Sequence, residues 1–194
     1  FVAGAILSGL AMVLTIGIPL RRVFRVEHII RIYHLEGMAK VLLFTSLVVG
    51  YAYAVEFFLA WYVGNPFEVA VFRYRPTGEY ATVFWGMVLC NAVIPLLFFW
   101  RRVRTSLLGL FLVSMAVNLG MWFERFNIIV TSLAHDFMPH AWGAYWPTWV
   151  EWGIVAGSFG WFFLLFLGFI KILPALSVAE VKESMPHPVR GGAS

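Results

Sequence analysis

The chain has 194 residues, of which 61% are hydrophobic and 12% are charged, and its mean hydropathy is +0.84. A soluble domain is about half apolar and about a quarter charged, so this composition excludes an ordinary soluble protein and favours an integral membrane protein. The formal net charge of +4 does not indicate nucleic-acid binding, because the basic residues flank apolar runs as in the cytoplasmic loops of membrane proteins.

Five apolar stretches are long enough to cross a bilayer, which takes about 20 residues of helix. They predict an all-α membrane protein with helices at about 1–20, 38–63, 80–100, 106–133 and 149–173. The stretches lack a two-residue alternation and are too long for the strands of a membrane barrel. We expect 1–176 to form a helical bundle plus one extra helix, and 177–194 to form a tail. Because Phe1 opens inside an apolar run, we expect the chain to be part of a longer protein.

The orientation of the bundle follows from its positively charged residues, which are enriched in cytoplasmic loops. One side of the predicted bundle holds only Arg73 and Arg75. The other side holds Arg21, Arg22, Arg25, Arg31, Arg101, Arg102, Arg104, Lys171, Lys182 and Arg190. The sequence therefore predicts an N-terminus outside the cell and a cytoplasmic C-terminus.

The predicted second helix carries Lys40 near its inner end and Glu56 well inside its outer half, and the predicted fourth helix carries Glu124 and Arg125. A charge at the bilayer centre costs about 2.5–3.5 kcal/mol, so a charge retained at depth needs a partner. Adjacent helical residues point about 100° apart, so we expect Arg125 to pair with Glu56 rather than with Glu124. A carboxylic acid can exchange a proton where arginine cannot, which favours a proton relay through Glu56 or Glu124. The alternative is that these charges only fix the packing of the helices.

The third predicted helix carries Cys90, Asn91 and Pro95, and the fourth carries Asn118. The lone cysteine excludes an internal disulfide and the cysteine motifs of iron–sulfur or covalent haem sites. We expect the two asparagines to form hydrogen bonds between helices. Pro95 is expected to kink its helix and to free a backbone carbonyl that a relay or a water could use.

Two clusters of titratable residues flank the predicted helices. His34, Glu36 and Lys40 surround the start of the second helix, where they form a proton entrance or, alternatively, where Glu36 stabilises the helix dipole. His135 and Asp136 follow the fourth helix. These two residues with His140 offer three metal ligands, but no fourth ligand is evident.

Several of these residues lie in motifs that resemble the C-terminal half of an NrfD-like (polysulfide reductase NrfD) membrane subunit, and are most similar to the quinol-interacting subunits of bacterial alternative complex III. The resemblance covers about Tyr33 to Lys182. The motifs are Tyr-His-Leu-Glu-Gly-Met-Ala-Lys from Tyr33, Gly-Tyr-Ala-Tyr-Ala-Val-Glu-Phe-Phe-Leu-Ala-Trp-Tyr from Gly50, Asn-Leu-Gly-Met-Trp-Phe-Glu-Arg-Phe from Asn118, Val-Thr-Ser-Leu-Ala-His-Asp-Phe-Met-Pro from Val130, and Tyr-Trp-Pro-Thr-Trp-Val-Glu from Tyr145.

The resemblance implies a subunit of two four-helix bundles in the bacterial plasma membrane that binds no redox cofactor itself. It implies that quinol is oxidised near the periplasmic face and that electrons pass to a docked iron–sulfur subunit. The expected partners are the N-terminal half of the subunit or a companion chain, the iron–sulfur subunit, a multihaem cytochrome c and a related membrane subunit. Iron–sulfur clusters and haem c belong to those partners.

The resemblance also implies which residues conduct protons. They are His34, Glu36, Lys40, Glu56, Glu124, Arg125, His135 and Asp136. Glu36 and Glu151 stand where the family usually has Asp, and His135 stands where it usually has a basic residue. Since the family's quinol pocket belongs mainly to its first bundle, this chain is expected to be the second bundle. Its expected role is a proton relay and a docking surface within a quinol:electron-acceptor oxidoreductase; the alternatives are a structural anchor and an independent transporter.

Overall fold

A computed structural model describes residues 2–27, 29–134, 143 and 145–172, and its regular structure is entirely helical over these residues. Within them, five helices are long and apolar enough to span a membrane, as the sequence predicts. The helices are α1 (Val2–Val23), α2 (Ile32–Val63), α3 (Pro66–Thr77), α4 (Ala81–Val88), α5 (Arg101–Arg104), α6 (Leu107–Ala134) and α7 (Trp149–Ile172). The predicted tail at 177–194 lies outside the described residues.

The core of residues 1–145 is formed where α1, α2 and α6 pack together. On α1, Leu7, Ala11 and Leu14 are fully buried and follow one another at intervals of four and three residues. This spacing places them on one face of the helix. Leu42 of α2 and Val117 of α6 are equally buried against them. The other faces of these helices carry exposed apolar side chains, which suits contact with lipid.

The α4 helix continues beyond Val88 as an irregular helix. A π-helical turn at Leu89–Val93 is followed by a 3₁₀ turn at Ile94–Phe99. We call the whole segment Ala81–Phe99 the α4 span. Proline has no backbone N–H to continue the helix ladder, and Pro95 lies at the junction of the two turns. The predicted irregularity at Pro95 is therefore present.

The helices differ from those predicted in two places. The second spanning helix begins at Ile32 rather than near residue 38, and α3 occupies what was expected to be a loop. Gly64 ends α2 in a left-handed conformation with φ of 68°. Asn65 then caps α3 by accepting a hydrogen bond from the Phe67 amide at 3.1 Å, and Pro66 occupies the first turn. Gly-Asn-Pro is thus a helix stop followed at once by a helix start.

The described residues 146–172 belong to a second compact unit. Its helix α7 begins with Glu151 in the first turn and ends with Lys171 in the last turn. The Glu151 carboxylate accepts a hydrogen bond from the Thr148 backbone amide at 2.5 Å. This interaction caps the helix, and both charges complement its dipole.

A buried polar cluster between α2, α4 and α6

Glu124 is buried on α6, with 8% of its surface exposed, and it is bound by side chains from two other helices. The Tyr53 hydroxyl on α2 donates a hydrogen bond to Glu124 Oε2. Asn91 in the α4 span donates from Nδ2 to the same oxygen at 3.3 Å and to the Tyr53 hydroxyl at 3.1 Å. These three residues and Ser46 of α2 are called the polar core cluster below.

Ser46 joins the cluster through a backbone carbonyl. Its hydroxyl donates to the carbonyl oxygen of Asn91 at 2.7 Å, and Ser46 is fully buried. In a regular helix this carbonyl would accept from the amide four residues later, but that residue is Pro95. The proline therefore frees a carbonyl deep in the bundle, as predicted, and Ser46 satisfies it.

Gly120 allows α6 to approach the α4 span closely. A Cβ atom at Gly120 would lie 2.3 Å from Asn91 Oδ1 and 2.5 Å from Cβ of Cys90, both closer than real Cβ contacts. Small residues have this role where membrane helices pack backbone to backbone. Asn91 Oδ1 is buried and has no hydrogen-bond partner among the described residues. The oxygen instead packs against the Gly120 backbone.

The other oxygen of Glu124 faces α1. A Cβ atom at Gly4 would lie 3.7 Å from Glu124 Oε1 and 3.2 Å from the terminal methyl of Met121. The polar core cluster is therefore covered by α1 on one side and by α2 and the α4 span on the other. Its chemistry is that of a carboxyl group next to a hydroxyl that can both accept and donate a proton.

Glu56 binds a different partner from the one expected. Arg75 of α3, rather than Arg125, donates to Glu56 Oε1 at 3.1 Å. The Arg75 guanidinium also lies over the Phe72 ring, 4.6 Å from its centroid. The Glu56 side chain is 50% exposed and does not belong to the polar core cluster. Arg75 was not expected as the partner of Glu56, because the residues of α3 were predicted to form a loop.

The predicted residues at the start of α2 are placed together but have structural partners. His34 Nδ1 accepts a hydrogen bond from the Arg31 amide at 3.2 Å, which caps the helix. Glu36 Oε1 lies 3.2 Å from Lys40 Nζ and 3.1 Å from Arg104 Nε. Arg104 was counted in the sequence only for orientation, and here it joins the connection before α6 to the start of α2.

Two further predicted residues, Asn118 and Arg125, lie on α6. Arg125 is half-buried on α6. Asn118 forms the expected bond between helices, because its Nδ2 donates to the Thr15 hydroxyl of α1 at 2.9 Å. His135, Asp136 and His140 lie outside the described residues, so the predicted outer cluster has no structural description.

Sequence reasoning missed Ser46 and Tyr53. Both lie on the buried face of α2, which continues through Leu35, Ala39, Leu42, Ser46 and Val49 to Tyr53 at alternating intervals of four and three residues. Serine and tyrosine carry no charge, so their burial within an apolar helix is less conspicuous in the sequence than that of Glu124. No protein-family model matches this chain, and no curated protein sequence does so either.

Proposed function

We propose that this chain is the C-terminal membrane portion of an NrfD-like subunit in a bacterial quinol:electron-acceptor oxidoreductase, and that its polar core cluster relays protons. The observation that carries the relay is the Tyr53 hydroxyl, which contacts Glu124 and Asn91 inside an apolar bundle. The quinol chemistry and the partners rest on the sequence motifs alone. Those partners are the N-terminal half of the subunit, a related membrane subunit, an iron–sulfur subunit and a multihaem cytochrome c.

In this proposal Glu124 accepts a proton from the Tyr53 hydroxyl as that hydroxyl receives another from a water or a neighbouring group. The net result moves one proton and leaves Tyr53 neutral. Such a transfer needs a hydrogen bond already in place, which Tyr53 and Glu124 have. Quinol oxidation releases protons, so a membrane subunit next to it requires groups that can carry them away.

Glu124→Gln in the intact complex tests the relay. Glutamine keeps the size and the hydrogen-bonding capacity of the side chain but cannot exchange the proton. We expect the complex to assemble normally and quinol-linked turnover to fall about tenfold or more. Glu68→Gln, which changes an exposed carboxylate on α3, is the matched control. Full turnover in the Glu124→Gln complex contradicts the relay.

A purely structural anchor is the second candidate, and the close contact of Asn91 with Gly120 favours it. In this role the polar core cluster only fixes which helices pack together. The same variant separates the two functions, because an anchor predicts less assembled complex with normal turnover per complex. Turnover and assembled amount therefore have to be measured on the same preparation.

A further inference from the structure

A groove lies between the last turns of α2 and the helix α3. Its volume is 460 Å³, within the range of about 300–1,000 Å³ that ligand pockets occupy. The floor is largely apolar and aromatic. The lining includes Phe57, Ala60 and Trp61 from α2, and Phe72, Arg73 and Pro76 from α3.

Arg73 gives this groove a positive charge that no described residue compensates. It is the charged residue among the described lining residues, and its guanidinium has no ion pair or hydrogen bond to another described residue. The neighbouring Arg75 is different, because Glu56 neutralises it and the Phe72 ring covers it. The groove therefore joins a long apolar surface to a single cation at its rim.

The groove lies at the end of a spanning helix, next to exposed aromatic side chains. Trp61 and Tyr62 have 74% and 73% of their surface exposed in the last turn of α2. Aromatic residues of this kind are enriched where the bilayer meets water. This position predicts that the Arg73 guanidinium lies at the level of the lipid headgroups and that the aromatic floor faces the acyl chains.

We propose that this groove binds one anionic phospholipid, with an acyl chain along Phe57 and Phe72 and its phosphate on Arg73. A guanidinium can bind two phosphate oxygens at once. A zwitterionic lipid carries its own cation, which an unpaired arginine repels. A neutral isoprenoid quinol lacks the anion altogether. The combination of an apolar floor and one free positive charge therefore favours an anionic lipid.

The test is native mass spectrometry of the purified complex titrated with phosphatidylglycerol or phosphatidylcholine. We expect the unchanged protein to retain phosphatidylglycerol preferentially. Arg73→Gln should weaken that retention about fivefold, and Arg73→Lys should preserve most of it. Val69→Phe, which fills the groove from α3, should weaken the retention of both lipids. Arg102→Gln removes an equal charge from α5, outside the groove, and should leave the preference for phosphatidylglycerol unchanged.

Three results overturn the proposal: equal retention of the two lipids, an Arg73→Gln protein that still prefers phosphatidylglycerol, or an Arg102→Gln effect as large as that of Arg73→Gln. Preferential displacement of the lipid by a quinol analogue would assign the groove to a different ligand. Thermal unfolding of each variant shows whether it is folded, and Arg73→Lys supplies a conservative change at the same position. None of these outcomes depends on the proton relay.

Discussion

At the residue scale, the hydroxyl of Tyr53 connects the carboxylate of Glu124 to the amide of Asn91. Tyr53→Phe removes this hydroxyl and leaves the ring in place. Because a buried carboxylate then loses a donor, we expect a loss of about 0.6–2 kcal/mol in the free energy of unfolding. The measurement is unfolding of the purified protein in mixed micelles.

Tyr51→Phe is the control for this change, because Tyr51 lies two residues earlier on α2 and is 71% exposed. Loss of the Tyr51 hydroxyl should leave the free energy of unfolding almost unchanged. Equal stabilities for the two variants would mean that the hydroxyl of Tyr53 contributes nothing to the fold.

Gly120 is the second residue whose role can be measured directly. In Gly120→Ala the new methyl group collides with Cβ of Cys90 on a packed helix, so α6 and the α4 span must separate. We expect the free energy of unfolding to fall by about 1–3 kcal/mol, as for other overpacked sites. Gly9→Ala adds the same methyl group to α1 where no atom lies within 4 Å. A loss in the control as large as in Gly120→Ala would show that helix separation is not the cause.

The residues of the polar core cluster were only partly predictable. Glu124 and Asn91 were identified because polarity inside an apolar run is conspicuous. Ser46 and Tyr53 were missed, although both continue the buried face of α2. Arg75, the partner of Glu56, could not be predicted from the depth of charged residues in the membrane, because it lies on α3, which hydropathy does not reveal.

At the scale of the element, the irregularity of the α4 span has a cause that a double-mutant cycle can isolate. Ser46→Ala leaves the Asn91 carbonyl without its donor, and we expect it to cost about 0.6–2 kcal/mol. Pro95→Ala restores an amide that can bind this carbonyl. In the Pro95→Ala background, Ser46→Ala should therefore cost much less.

The cycle is calculated from the free energies of unfolding of the unchanged protein, Ser46→Ala, Pro95→Ala and the double variant. Pro19→Ala in α1 serves as the control background, because Pro19 is exposed and should leave the cost of Ser46→Ala unchanged. Additive effects of Ser46→Ala and Pro95→Ala would show that the proline is not what frees the carbonyl.

The number of spanning helices was predictable from hydropathy, whereas the start of α2 and the presence of α3 were not. The first turns of α2, from Ile32, lie outside the most apolar run because they include the polar residues His34 and Glu36. His34 caps the helix by accepting from the Arg31 amide, and Glu36 pairs with Arg104. The α3 helix has too little hydropathy to be detected by a search for spans. The sequence signal for α3 is instead its capping motif, Gly64 followed by Asn65 and Pro66.

At the scale of the whole molecule, the described residues contain the five spans that the sequence predicts, and the orientation of these spans remains a prediction. The excess of arginine and lysine on one side predicts a cytoplasmic C-terminus. A green fluorescent protein fused to the C-terminus of the full subunit should therefore fluoresce. A fused alkaline phosphatase should be inactive.

The reporters should exchange their behaviour when the fusion point is moved to the connection that contains α3. A fluorescent fusion at that connection, or an active phosphatase at the C-terminus, would reverse the assignment of the two faces.

The distance between the two ion-paired carboxylates of α2 can be compared with the thickness of a bilayer. Glu36 and Glu56 are 20 positions apart in the sequence, so the helix rise separates them by about 30 Å, close to the thickness of the hydrocarbon core. With the hydrocarbon boundaries taken at these two carboxylates, Tyr53, three positions before Glu56, lies about 4–5 Å inside the boundary at Glu56. A charge reaching Glu124 from that side therefore crosses only a small fraction of the transmembrane voltage, and the electrical work of loading this site is correspondingly small.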